Sequence, residues 1–160
     1  MRIYFLRHGK AMARADWSAD DGLRPLTADG EKTMVGEAKA VKGLKLGLEL
    51  IVTSPLVRAR RTAEIVAAAL GGPTRLVEDA RLAHGFNAER LAELIAEHDV
   101  RESVMVVGHE PEFSETVAEM IGGGVVVFKK GGLARVDVAG PSLADGQLVW
   151  LMTPALLGGE

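Results

Sequence analysis

Unbroken apolar runs alternate along the chain with stretches in which apolar residues recur every three or four positions. The run at residues 3–6, Ile-Tyr-Phe-Leu, reads as a strand buried on both faces. Residues 11–26 are polar and loop-like. From Thr27, a suitable helix cap, to Leu44 the residues Met34, Ala38 and Val41 keep helical spacing. Residues 48–55 form a second strand stopped by Pro55. Leu56, Ala59, Ala63, Val66 and Leu70 then make one apolar stripe, a helix ended by Gly71-Gly72-Pro73. A short strand is predicted over 74–78, and Asn87 caps a helix carrying Leu91, Leu94 and Ile95. A fully apolar strand follows over 103–108. Phe113, Val117, Met120 and Ile121 mark a last helix, with Pro111 at its first turn.

After Gly122-Gly123-Gly124, read as a turn, the pattern changes. Residues 125–128, 133–138 and 147–152 are predicted strands with short glycine-rich connections, which suits antiparallel pairing at one side of a sheet. The whole predicts a three-layer α/β/α sandwich with a mainly parallel central sheet and antiparallel C-terminal strands. It is expected to form one domain over 1–160, with no internal repeat.

In open parallel sheets, ligands bind beyond the carboxyl ends of the strands. The first strand is followed by Arg7-His8-Gly9, the second by Thr53-Ser54-Pro55 and Arg58, and the fourth by Gly108-His109-Glu110-Pro111. Any one of these strings is weak, since a histidine at a strand end is often only structural. Three of them at corresponding ends of one sheet make a cradle for a phosphoryl group. Guanidinium forks match phosphate oxygens, a neutral imidazole is a competent nucleophile, and Gly9 lets the backbone approach an anion. Arg58, in the first turn of its helix, leans back toward the strand ends. Arg61, one turn on, is a weaker candidate, and Arg60 points elsewhere. His84 and His98 have no partners at metal-ligand spacing and read as surface or structural residues. Asp16, Asp20 and Asp21 read as a solvated loop, one or more of which could flank the site mouth.

Composition narrows the chemistry. The 160 residues carry a net charge of −3, so non-specific nucleic-acid binding is not expected and any anion site must be a local positive cluster. The absence of cysteine excludes disulfides, thiolate metal sites and cysteine nucleophiles. No phosphate-binding Gly-Lys-Ser/Thr loop, no Gly-x-Ser-x-Gly elbow and no second histidine of a zinc-protease helix appears. No apolar run approaches the ~18 residues of a membrane span, and no signal-type segment precedes the first strand, so a cytoplasmic location is expected.

The Arg7-His8-Gly9 string, SPLVRARRTAE over 54–64 and GHEP over 108–111 resemble the histidine phosphatase superfamily, with its phosphoglycerate-mutase-like fold. RPLTADG over 24–30 and VWLMTP over 149–154 resemble, more narrowly, its small SixA-type phosphohistidine phosphatases. The resemblance implies that His8 is the nucleophile that becomes phosphorylated. It also implies that Arg7, Arg58 and His109 bind the phosphoryl oxygens and stabilise the transition state. No metal and no cofactor are implied. Arg24 becomes a candidate substrate contact, with holding its loop as the alternative. The general acid of larger relatives stays unassigned: Glu110 follows the second motif histidine, and Glu78 and Asp79 follow the third strand.

The long insertions that form lids in larger relatives are missing. An uncovered site suits a phosphohistidine-bearing partner protein, such as a phosphotransfer domain or a phosphotransferase-system protein. A phosphatase for small phosphomonoesters is the alternative, a mutase is disfavoured, and a silent phosphate-binding module is the reading from another class.

Overall fold

The computed structural model describes residues 1–72, 74–140 and 142–158. Its centre is a six-stranded sheet in the order β3-β2-β4-β1-β5-β6. These strands are β1 (Arg2–Arg7), β2 (Leu50–Thr53), β3 (Arg75–Glu78), β4 (Ser103–Gly108), β5 (Leu133–Asp137) and β6 (Gln147–Met152). β1, β4, β2 and β3 are parallel, whereas β5 pairs antiparallel with β1 and β6 pairs antiparallel with β5.

Unbroken apolar runs became strands because helices cover both faces. Ile3 and Phe5 of β1 join one core with Leu50, Val52, Val104 and Val106, closed by Leu91 and Leu94 of α3 (Ala88–Glu97) and Phe113 and Val117 of α4 (Glu112–Met120). Tyr4 and Leu6 face the other core, with Ile51, Met105 and Val107. That core is closed by Met34, Ala38 and Val41 of α1 (Ala28–Gly43) and by Ala59, Ala63 and Val66 of α2 (Val57–Leu70). This is the expected three-layer α/β/α sandwich.

The helix starts follow their capping residues. Thr27 Oγ1 accepts the Gly30 N–H, and Asn87 Oδ1 accepts the Arg90 N–H. Gly71 ends α2 at φ 64°, the left-handed region that favours glycine. Pro73 lies outside the described residues.

The expected strand over 125–128 does not form. Gly122, Gly123 and Gly124 all take positive φ, and the chain after them runs without a ladder. β5 fills the place beside β1, so Val125 and Val127 stand exposed while Val126 packs partly on the core and Phe128 is buried, edge-on to Phe113. The residues after Phe128 close over the end of β1. Gly131 N–H donates to the carbonyls of Arg7 and His8, each at 3.1 Å, and Arg7 N–H donates to Gly132 O.

Phe128 therefore anchors the segment that holds the end of β1. Phe128→Ala should cost about 3–5 kcal/mol and lower Tm by on the order of 10 °C. Urea unfolding against wild type measures it, and a loss under 1 kcal/mol would show that the segment is held from elsewhere.

Candidate active site

The parallel register brings the strand ends level. Arg7 pairs with Gly108, and Thr53 with Val107. The residues that follow, His8, Ser54 and His109, therefore emerge side by side, and all three are buried. The His8 and His109 rings lie 5.2 Å apart. Arg58 enters from the first turn of α2 and is 5% exposed. Of the expected site residues, His8, Arg7, Arg58 and His109 are thus gathered at one sheet edge.

The hydrogen bonds of His8 define its ring. Nδ1 lies 2.7 Å from the Gly9 carbonyl, which can only accept, so Nδ1 carries the proton. Burial, reinforced by the positive charges of Arg58, Arg7 and Arg24, lowers the pKa of His8 to about 3. The ring is neutral at pH 7, and the lone pair is on Nε2.

His109 Nε2 lies 2.8 Å from Ser54 Oγ. That oxygen also accepts the Leu56 N–H, and its own proton can be donated to Nε2. The tautomer that completes this pattern carries its proton on Nδ1, which is buried and without a partner. Burial, followed by the nearby His8 and Arg58, lowers His109 to about 3 as well.

Both arginines are partly engaged. Arg7 Nη1 donates to the Phe128 carbonyl at 2.7 Å, and its buried Nε is unpartnered. Arg58 donates to the Asp21 carbonyl at 2.9 Å and to its carboxylate at 3.1 Å, and its buried Nε is also unpartnered. Burial lowers both guanidinium pKa values from their ordinary value. Buried donors without partners are rare in native proteins. Here Arg7 Nε, Arg58 Nε and His109 Nδ1 all stand unpaired around a neutral imidazole, which suits capture of a tetrahedral oxyanion.

Gly9 has a packing role. A Cβ there would lie 2.6 Å from Met34 Cγ. Its N–H donates to Thr62 Oγ1, whose hydroxyl donates to the Arg58 carbonyl. Gly9 thus ties the end of β1 to α2, and its amide is already committed. Arg24 holds the loop, donating to the Met12 carbonyl at 2.7 Å and to Asp21 at 2.8 Å. It remains near enough to His8 to contribute to its pKa shift.

Asp21 is the residue the sequence reading undervalued. It pairs with Arg14, Arg24 and Arg58, and the interactions with Arg24 and Arg58 hold its carboxyl below the usual range despite some burial. Asp16 and Asp20 are exposed, and nothing in the string Ala-Asp-Asp-Gly distinguishes its second aspartate from its first. Ser54 was visible as a strand-end residue, but its contact with His109 depends on the register of β2 and β4.

The candidate acids differ in availability. Asp79 is clamped by Arg81, which holds its pKa low. Glu78 is exposed and pairs with Arg60 at 3.5 Å. Glu110 Oε2 accepts from Ser114, its Oε1 is buried without a partner, and its charge acts on Arg7. Arg61 pairs with Glu31 and Glu64 away from the site. His84 is exposed, and His98 caps α3.

This geometry has counterparts among known proteins. The histidine phosphatase superfamily (branch 1) profile matches residues 3–85. The chain is 30% identical to the phosphohistidine phosphatase SixA of Escherichia coli K12, over 98% of this chain and 96% of SixA. It is 38% identical to an uncharacterised protein of a Picosynechococcus species, over 98% of this chain and 99% of that protein. The structure of the protein histidine phosphatase SixA complexed with tungstate superposes with a TM-score of 0.85 at 28% identity, covering 98% and 99% of the two chains. The chain belongs to the histidine phosphatase superfamily. It is a phosphatase of that type, a hydrolase.

Two consequences follow from the neutral histidines. An unfolded histidine takes up a proton below pH ~6.5, whereas these two stay neutral down to about 3. The unfolded state then binds more protons, so stability falls as the pH drops from ~6.5 toward 3, by up to about 1.4 kcal/mol per pH unit for each histidine. His8→Asn and His109→Asn should each flatten the stability profile between pH 5 and 6.5, read from urea unfolding. Parallel profiles for wild type and both variants would show that the rings are not held neutral.

Ser54→Ala should leave His109 free to take the wrong tautomer. Loss of that buried hydrogen bond, worth about 1–3 kcal/mol, should lower kcat on an aryl phosphate about 10-fold with KM changed less. An unchanged kcat would remove Ser54 from the site.

Proposed function

We propose that the protein is a metal-independent cytoplasmic phosphatase that removes the phosphoryl group from histidine on a partner protein, through a phosphorylated His8 intermediate. The observation that carries this reading is the 2.7 Å contact of His8 Nδ1 with the Gly9 carbonyl. It leaves Nε2 as a neutral nucleophile beside the unpaired donors of Arg7, Arg58 and His109. The full-length similarity to SixA supports the substrate class.

In the first step the Nε2 lone pair forms a bond to phosphorus while the substrate's phosphorus–nitrogen bond breaks. Arg7, Arg58 and His109 bind the equatorial oxygens, supplying the positive charge a metal would otherwise provide. To admit them, Asp21 yields part of the Arg58 fork. In the second step water attacks phosphorylated His8, releasing inorganic phosphate. The Gly9 carbonyl keeps the proton on Nδ1 throughout, so His8 departs as neutral imidazole.

The leaving group decides how much help an acid must give. An alkoxide leaving group has a conjugate acid near the pKa of water, ~15.7, and needs a proton donor. Imidazole protonated on its other nitrogen leaves neutral, its conjugate acid having a pKa of about 6.5. The engagement of Asp79 and Glu78 with arginines fits a reaction that asks little of an acid. A second reading, hydrolysis of small phosphomonoesters, is favoured by one observation, the buried free oxygen of Glu110.

Wild type should hydrolyse a phosphohistidine protein with higher kcat/KM than a panel of small phosphomonoesters, undiminished by excess chelator and inhibited by vanadate. Brief reaction should trap an acid-labile, alkali-stable phosphoenzyme that His8→Ala cannot form. Glu110→Gln should slow phosphohistidine hydrolysis by less than the ~10²-fold expected for loss of a general acid. Label on the His8→Ala protein would overturn the nucleophile. A ~10³-fold loss in Glu110→Gln would transfer the protein to the second reading.

A further inference from the structure

Beside the strand-end site is a separate cleft of about 270 Å³, lined by Gly9, Lys10, Gly30, Thr33, Met34, Glu37, Lys130 and Pro154. Its lining includes Gly9, the residue that follows His8 in the chain, which sets the cleft one residue from the strand-end site. The volume accommodates one or two side chains and is below that of a cofactor pocket, ~300–1,000 Å³.

Two lysines are mounted at this cleft on fixed backbone. The Lys10 carbonyl accepts the Thr27 N–H at 2.9 Å, and α1 packs so closely on it that a Cβ on Gly30 would lie 2.0 Å from that oxygen. Lys130 immediately precedes Gly131, whose N–H bridges the Arg7 and His8 carbonyls. Both lysine side chains are exposed, and among the described residues neither forms an ion pair.

Glu37 of α1 lines the same cleft, 1% exposed, with neither carboxylate oxygen hydrogen-bonded. Its carboxyl packs on Gly131, where a Cβ would lie 2.6 Å from Oε2. Neither of the two lysines that line this cleft with Glu37 is within ion-pair distance of it. Burial raises its pKa to about 7. In the lower part of the neutral range it is a protonated donor that leaves the lysine charges uncompensated.

We propose that this cleft binds an acidic side chain, Asp or Glu, that the substrate protein carries beside its phosphohistidine, with Lys10 and Lys130 pairing its carboxylate and Glu37 as the floor. The inference rests on the protein-substrate reading above. The other groups around Glu37 do not compete: Arg61 of α2 is taken by Glu31 of α1, and residues 154–157, which pack on α1, carry no charge. His8, on the far side of Gly9, is neutral.

The test uses three phosphohistidine peptides of one sequence, with Glu, Gln or Lys beside the phosphohistidine, and an aryl phosphate as the small substrate. Wild type at pH 6.5 should prefer the Glu over the Gln peptide about 5-fold in kcat/KM, the scale of one or two exposed ion pairs, expressed in KM. Lys10→Gln with Lys130→Gln should abolish that preference while turnover of the aryl phosphate stays within two-fold. In wild type the preference should shrink as pH rises from 6 to 8, as Glu37 ionises. In Glu37→Gln it should persist across that range. Equal rates on all three peptides, or a preference untouched in the double variant, would overturn the cleft and leave the phosphatase reading standing. No hydrolysis of any peptide beside normal aryl phosphate turnover would overturn both.

Discussion

Two guanidiniums and two imidazoles converge at one sheet edge, with Arg58 and both histidines buried, and Asp21 is the carboxylate that pairs with Arg58. Like charges so close would destabilise the fold if all four groups were cationic. The protein limits the cost in two ways. Both histidines are held neutral by burial and by the arginines themselves. Each arginine spends part of its fork on backbone carbonyls, Phe128 for Arg7 and Asp21 for Arg58. What remains is a set of dry, unpaired donors whose electrostatic demand is met only when an oxyanion arrives. The functional geometry and the principal strain on the fold are therefore one feature.

That feature is tolerable because the scaffold is over-determined where the donors sit. His8, Ser54 and His109 all follow adjacent parallel strands whose registers are fixed by two cores on opposite faces. A slip of one residue in any of these strands would exchange its two apolar sets and separate the histidines. Thr62 adds a direct tie between Gly9 and the first turn of α2, so Arg58 is positioned relative to His8 through two hydrogen bonds.

Most of this was legible in the sequence. Unbroken apolar runs in β1 and β4 announced a sheet covered on both faces, and the strand ends drew attention to Arg7, His8, Arg58 and His109 before any geometry was known. Three things were not legible. Residues 125–128 have strand composition, yet the place beside β1 is taken by β5. Asp21 sits in a polar run whose other aspartates are exposed, and its role depends on a long-range approach to Arg58, 37 residues away in sequence. The missing side chain of Gly9 also makes room for Met34, which its place after His8 does not show. In each case the deciding fact is a tertiary neighbour, which local pattern does not encode.

Asp21, which pairs with Arg58, and Glu37, in the cleft that Gly9 lines, illustrate opposite solutions to one problem. A carboxylate beside an anion site competes with the anion unless its charge is used elsewhere or removed. Asp21 stays ionised, with its pKa held low, and its charge is shared among three arginines. It can therefore aim Arg58 while cancelling only part of the local positive charge. Glu37 is buried without a partner, and burial raises its pKa to about 7, so that it is mainly neutral only below pH 7. An ionised, partnered Glu37 would have been easier to stabilise, and Lys10 or Lys130 could have supplied the partner. Leaving it unpaired keeps both lysine charges available at the cleft mouth. On this view the cost of a buried, unsatisfied carboxyl is offset when an acidic substrate group docks, just as the cost of the unpaired arginine nitrogens is offset by the phosphoryl group. The two sites share Gly9, so one substrate could relieve both at once, and recognition of its flank would be coupled to capture of its phosphoryl group.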